Sequence, residues 1–124
     1  MLIIDDDKWI VMSTQMVLEA EGFKVITALS GNEGLQLAKT THPAVILLDI
    51  MMPGIDGWET LERLKNDTDT ADIPVIVFTG RESQQGASKS QKLGAASYLR
   101  KPFRPDVIVE TIRQQIEQSH TVEQ

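Results

Sequence analysis

Short apolar-rich runs alternate along the chain with stretches whose apolar positions recur every three to four residues. The runs are Leu2-Ile-Ile4, Phe23-Lys-Val-Ile-Thr-Ala28, Ala44-Val-Ile-Leu-Leu48, Ile73-Pro-Val-Ile-Val-Phe-Thr79 and a shorter one within Ala95 to Lys101. Unbroken β-branched runs of this length predict strands buried on both faces, as in a parallel sheet. Between them, residues 8–21 carry Ile10, Thr14, Val17 and Leu18 as a helical stripe that Gly22 ends. Ser30-Gly-Asn-Glu33 has the form of a capping box and predicts a helix to about Thr40, with Leu35 and Ala38 inward. A third helix carries Trp58, Leu61 and Leu64, and the polar stretch Asn66 to Asp72 predicts a surface loop. Residues 82–93 predict a weak helix in which Gly86 interrupts, Ala87 and Leu93 are nearly the only apolar residues, and Gly94 is the stop. Pro105 and Asp106 suit the first turn of a last helix over 105–118, striped by Ile108, Ile112 and Ile116. Ser119 to Gln124 is a polar tail.

A strand followed by a helix, repeated five times with short connections, predicts a single α/β domain over residues 1–118 whose parallel sheet is covered on both faces. Right-handed crossovers place every strand C-terminus on one edge, where open α/β sheets bind their ligands. That edge should collect Asp5-Asp6-Asp7, Asp49, Thr79-Gly80 and Lys101, each from the end of a different strand.

Carboxylates brought together repel and stay ionised only when a cation balances them. Oxygen-only ligands select a hard ion, and Mg²⁺ (with Mn²⁺ as an alternative) typically takes one or two carboxylates, water and a phosphate. A lysine opposite offers a point charge to phosphoryl oxygens, and a threonine before a glycine adds a hydroxyl donor. The set suits phosphoryl transfer to a carboxylate. Asp49, alone at a central strand end, is the best nucleophile, and Asp5 and Asp6 the best metal pair. Each residue also has a plainer role open to it. Asp49 could be a strand stop, Asp7 an N-cap, Thr79 a strand-end hydroxyl bonded to backbone and Lys101 a solvated loop lysine.

Composition narrows the field. The absence of cysteine excludes disulfides and thiol chemistry. His42 precedes a proline and His120 lies in the tail, so a histidine metal site is not expected. A net charge of −6 argues against nucleic-acid or anionic-membrane binding. No apolar run approaches the ~20 residues of a membrane span, and a strand-like segment from Met1 leaves no signal peptide, so a cytoplasmic protein is expected.

Four segments together resemble the receiver domain of bacterial two-component response regulators. They are Leu2-Ile-Ile-Asp-Asp-Asp7, Ile46-Leu-Leu-Asp-Ile-Met-Met-Pro-Gly-Ile-Asp-Gly57, Val75-Ile-Val-Phe-Thr-Gly80 and Gly94-Ala-Ala-Ser-Tyr-Leu-Arg-Lys-Pro-Phe103. The resemblance implies a flavodoxin-like, doubly wound five-stranded parallel sheet in 2-1-3-4-5 order, with five helices in three α/β/α layers. It implies that Asp49 accepts a phosphoryl group from a sensor histidine kinase or histidine phosphotransfer protein. It implies Mg²⁺ held by Asp6, Asp49 and the Met51 carbonyl, with Asp5 acting through water. Lys101, before a cis Pro102, would contact the acyl phosphate. Thr79 would bond a phosphoryl oxygen, and Tyr98 would turn into the space Thr79 leaves. The face formed by helix 82–93, strand five and the last helix would then meet a downstream protein or fused output domain. A signalling switch rather than an enzyme is expected. A phosphatase of the haloacid dehalogenase type would carry a second acid where Met51 stands. A flavodoxin-like cofactor binder would have a phosphate loop after strand one. An interaction module independent of phosphorylation would not need the acidic set with Thr79 and Lys101.

Lys89 and Lys92 on helix 82–93 face no evident acid partner, and Asp106, Glu110 and Arg113 on the last helix leave the family's charged dimer face incomplete. A monomer or a weak, phosphorylation-dependent dimer is therefore expected. Met51 and Arg81 occupy the positions that tune acyl-phosphate hydrolysis in the family. Met51 has no hydrogen bond with which to orient an attacking water, so autodephosphorylation should be slow. Met51→Asn is expected to shorten the phospho-protein half-life at pH 7, read by intact mass over time; an unchanged half-life would refute the role given to Met51.

Overall fold

The computed structural model describes residues 1–50, 57–79, 89–100 and 105–122, without the side chains of residues 79, 100 and 118–122. Strand β1 is Leu2–Ile4, followed by helix α1 at Lys8–Ala20, β2 at Ile26–Ala28, α2 at Gly31–Thr41, β3 at Ile46–Asp49, α3 at Gly57–Asn66 and β4 at Val75–Thr79. A helical segment at residues 89–92, labelled α4, precedes β5 at Ser97–Arg100 and α5 at Pro105–Val122. All strand pairs are parallel, in the order β2-β1-β3-β4-β5. This is the doubly wound, flavodoxin-like order expected from the sequence.

Strand side chains alternate between two layers, as the pleat requires. Leu2, Ile4, Ile46, Leu48, Val75 and Val77 pack with Leu61 and Leu64 of α3 and Ala38 of α2. Ile3, Leu47, Ile76 and Phe78 pack on the other side with Val11 and Leu18 of α1 and Ile108 and Ile112 of α5. Both faces of the central strands are therefore covered, which is why their sequences are continuous apolar runs.

Helix ends follow their local chemistry. Asp7 caps α1, its carboxylate accepting from the N–H groups of Trp9 and Ile10 at 3.0 and 3.3 Å. Ser30 accepts from the Glu33 N–H at 3.2 Å, and Glu33 reaches back to the Leu29 N–H at 3.2 Å. At the far end of α3 the Thr70 hydroxyl donates to the Leu64 carbonyl at 2.7 Å. Lys39 of α2 meets Asp67 at 2.7 Å, and this pair holds the Lys39 ammonium above its ordinary pKa and the Asp67 carboxyl below its own. Lys65 donates to the Ile73 carbonyl at 2.7 Å and the Ala71 carbonyl at 3.2 Å, and burial pushes its pKa down against the pull of Asp72.

Three details differ from the sequence reading. Strand β2 is shorter than Phe23–Ala28 because its ladder partner starts at Leu2, opposite Ile26. The buried stripe of α1 is Val11, Thr14 and Leu18, with Ile10 and Val17 only half-buried. Helix α5 continues past residue 118 to Val122, because no glycine or proline in that stretch stops it. The predicted helix 82–93 lies outside the described residues up to residue 88.

Two glycines admit close backbone packing. A Cβ on Gly57 would overlap the Ile50 Cα and sit 2.6 Å from the Asp49 carbonyl oxygen, both backbone atoms that cannot step aside. A Cβ on Gly34 would meet the Ile4 side chain, whose Cγ1 would be 2.7 Å away. Gly57→Ala is expected to lower the unfolding free energy by about 1–3 kcal/mol or more, and Gly34→Ala by less. Adding Ile4→Val should recover part of the Gly34→Ala loss and none of the Gly57→Ala loss, as measured by urea denaturation.

Candidate functional site

Neighbouring parallel strands bring together acids that are far apart in sequence. Ile4 lies opposite Leu48 in the β1–β3 ladder, so the residues that follow them, Asp5 and Asp49, emerge side by side at the C-terminal edge. Asp5 is wholly buried, Asp49 is 3% exposed and Asp6 faces solvent. One carboxylate oxygen from each of Asp5, Asp6 and Asp49 lies within 4.8 Å of the others.

The surrounding backbone holds this cluster in place. The Asp5 N–H donates to the Ala28 carbonyl at 3.1 Å, and Asp5 Oδ1 accepts from the Asp7 N–H at 3.0 Å. Asp7 in turn caps α1. The three consecutive acids therefore have separate situations: one buried and oriented, one exposed toward the edge, one capping a helix. Asp49 is the last residue of β3 and pairs with Phe78 in β4, so its backbone is fixed by the most buried part of the sheet.

Three like charges, two of them removed from water, raise each other's energy unless a cation sits among them. The donors are all oxygen, which selects a hard ion over a thiophilic one. The three oxygens lie within 4.8 Å of one another, near enough for one cation to meet them partly directly and partly through water. The cluster could hold one hard divalent ion.

Tyr98 lies on β5, opposite Val77, and packs against the layer formed with α2 and α3. Its hydroxyl is buried and has no hydrogen-bond partner among the described residues. The Thr79 backbone ends β4 opposite Arg100 of β5. The Thr79 side chain, Met51, Arg81, Lys101 and the Lys101-Pro102 bond lie outside the described residues. The structure also reveals contacts that the sequence does not show. Gly57 abuts the backbone of Asp49 and Ile50. Lys89 of α4 places its ammonium 4.8 Å from the centroid of the Trp58 ring on α3. A pairing between two helices carries no periodicity that a sequence could show.

A family model described as the response regulator receiver domain matches residues 1–113. The chain belongs to this family. Among relatives of this receiver, protein PilH of Pseudomonas aeruginosa is 34% identical over 111 residues, covering 90% of this chain and 92% of that protein. Protein PilG of the same organism is 34% identical, covering 90% and 83%. The transcriptional regulatory protein CpxR of Escherichia coli is 38% identical over 99% of this chain, which spans 51% of that longer protein. The crystal structure of a CheY-like receiver domain protein from Methanospirillum hungatei superposes with a TM-score of 0.90 at 32% identity, covering 97% of this receiver and 94% of that chain. No described helix of the receiver is long and apolar enough to cross a membrane.

If the three carboxylates share one ion, Mg²⁺ should raise the thermal midpoint of the protein. At ten times the dissociation constant the stabilisation should be about 1.4 kcal/mol. Asp6→Asn, which alters an exposed residue, should remove most of this shift while leaving the metal-free midpoint nearly unchanged. Thermal denaturation with and without Mg²⁺ measures both; an undiminished shift in Asp6→Asn would exclude Asp6 as a ligand.

Proposed function

We propose that this receiver works in the cytoplasm as a phosphorelay switch, with Asp49 accepting a phosphoryl group from a phosphohistidine donor in an Mg²⁺-dependent step. The observation that carries this reading is the convergence of Asp5, Asp6 and Asp49 at one strand edge, two of them buried. Asp49 Oδ attacks phosphorus, the P–N bond to the donor imidazole breaks, and the imidazole leaves with its electron pair and takes up a proton. The product on this chain is an acyl phosphate at Asp49. Asp6 and Asp49, with the Met51 carbonyl, are the ligands we assign to the ion, and Asp5 acts through water. When bound, the ion supplies positive charge to the transferring oxygens. Lys101 balances the remaining charge from the β5 side, and Thr79 donates to a phosphoryl oxygen.

A partner is implied at each step. The donor, a sensor histidine kinase or a phosphotransfer protein, approaches over the edge where α1 begins. There α1 presents Trp9, Met12 and Met16 to solvent on the side opposite its buried Val11, Thr14 and Leu18. On the output side, Tyr98 is the switch residue. Its hydroxyl is buried without a partner among the described residues, so leaving this position relieves a penalty of about 1–3 kcal/mol. Two arrangements of Tyr98 close in energy are what a phosphorylation switch needs. The partner read out by the α4–β5–α5 face is a separate protein or a fused domain. Residues 1–118 form the switching unit, monomeric or weakly dimeric when phosphorylated, with no turnover of an external substrate.

Incubation with Mg²⁺ and phosphoramidate or acetyl phosphate should add one phosphoryl group by intact mass. The adduct should be labile to hydroxylamine, absent without Mg²⁺ and absent in Asp49→Asn. Full phosphorylation of Asp49→Asn, or none of the parent protein, would refute the reading.

A further inference from the structure

The described contacts include a physical link between Asp49 and α4 that does not run through Thr79 or Tyr98. The Gly57 N–H donates to the Ile50 carbonyl at 3.2 Å, and the space for a Gly57 side chain is filled by Ile50 backbone and the Asp49 carbonyl oxygen. The first residue of α3 is therefore seated directly on the backbone that carries Asp49. Gly57 cannot move independently of it. The next residue, Trp58, is half-buried against the layer that also holds Leu61, Leu93 and Tyr98. The Lys89 ammonium of α4 stands over that ring, 4.8 Å from its centroid. Ammonium and ring attract through the ring quadrupole. At the other end of α3, the Lys65 stem lies under Gly94, the residue that ends α4; a Cβ there would be 3.2 Å from Lys65 Cγ. The far end of the α3–α4 contact is thus a steric stop, and the Trp58 end is a polar attraction that can be made or lost.

We infer that Lys89 is a positioning residue for phosphorylation. Through Trp58 and Gly57 it couples the placement of α4 to the backbone of Asp49. This rests on the reading of Asp49 as the phosphoryl acceptor. The pair is formed in the same structure in which the Tyr98 ring is turned in and its hydroxyl buried, the arrangement assigned to the phosphorylated state. Removing the pair therefore disfavours that state. Linkage is reciprocal for binding, so losing a tie that favours this state weakens the binding of a phosphoryl mimic at Asp49 by up to the factor the tie is worth. For a partly exposed cation–π pair the factor is about two- to fivefold.

Trp58 and Trp9 are the two tryptophans of the chain, so Trp9→Phe isolates Trp58 as a fluorescent reporter. In that background, with saturating Mg²⁺, the phosphoryl mimic beryllofluoride should change Trp58 emission saturably. Lys89→Met, which keeps the aliphatic stem, should weaken the apparent affinity two- to fivefold and reduce the emission change. Lys89→Arg, which also places a cation over the ring, should restore both. A purely structural Lys89 would instead lower the thermal midpoint of Lys89→Met and leave the affinity alone; that result, or Trp58 emission indifferent to beryllofluoride, overturns the inference. Phosphoramidate labelling of the same Trp9→Phe protein, followed by mass, separates the two levels. A phosphoryl group on Asp49 with equal affinities sinks the coupling alone. No phosphoryl group sinks the acceptor reading and the coupling with it.

Discussion

The structure depends on placing two buried carboxylates next to each other without losing the fold. An ionised carboxylate is expensive to remove from water, and two side by side are more so. The chain meets this constraint by placing Asp5 and Asp49 where adjacent strands stop. One residue earlier, at Ile4 and Leu48, the same ladder is fully apolar and buried. The transition from core to site therefore occurs over a single residue on each strand. It also requires β1 and β3 to be parallel neighbours, which needs a crossover between them; here the chain goes through α1 to β2 on the outer side of β1 and returns through α2 to β3. The strand order β2-β1-β3-β4-β5 is thus a condition of the site as much as a property of the sheet.

The elements nearest the cluster hold it rigidly, while those farther out are less tightly committed. Asp5 is tied by its own N–H and by that of Asp7, and Asp7 also starts α1. Gly57 brings α3 onto the Asp49 backbone at a distance no other residue type allows. If Asp49 is the acceptor proposed above, rigid backbone beneath it would keep its oxygens in place as charge is transferred. Away from that edge the contacts are of a different kind. Lys89 over Trp58 is one attraction between one side chain and one ring, and the Tyr98 hydroxyl is buried without a partner among the described residues. Small terms of this size are the ones that the proposed phosphoryl group could reverse; the buried core beneath them is not one of them.

Much of this was legible in the amino-acid order. Ile46-Leu-Leu-Asp49 and Val75-Ile-Val-Phe-Thr79 could be read as central strands because burial on both faces leaves no polar positions. The Asp7 cap and the Ser30–Glu33 box could be read because capping needs specific side chains at fixed offsets. The meeting of Asp5 and Asp49 followed from strand order alone. Where the reading fell short, the deciding contact was between elements. Val11 rather than Ile10 faces the core because packing against β1 and α5 sets the rotation of α1, and a stripe with apolar residues at both positions fits either. Phe23 and Val25 look like strand residues, yet the β1–β2 ladder starts at the Leu2–Ile26 pair, and both instead pack against the layer formed with α1 and α5. Nothing in the sequence around Lys65 or Lys89 sets them apart from other lysines. One is drawn in to cap the carbonyls of Ala71 and Ile73 and the other is laid on an indole, and neither fate depends on its sequence neighbours.

In the proposed switch, the Tyr98 hydroxyl, unsatisfied among the described residues, and the pair between Lys89 and Trp58 act on one equilibrium with opposite signs. A buried hydroxyl without a partner disfavours the inward ring by about 1–3 kcal/mol. An attraction that holds α4 over α3 favours it by about 0.5–1 kcal/mol at a partly exposed site. Neither is large enough to fix one state, and their difference lies within the range that one new charge-assisted hydrogen bond can overcome. A fully satisfied Tyr98 would lock the ring inward whether or not Asp49 carried a phosphoryl group. An α4 with no tie to α3 would leave the ring free to turn out in both cases. In the proposed switch, Tyr98 is the buried polar group short of a partner among the described residues and Lys89 is the weak hold on the covering helix.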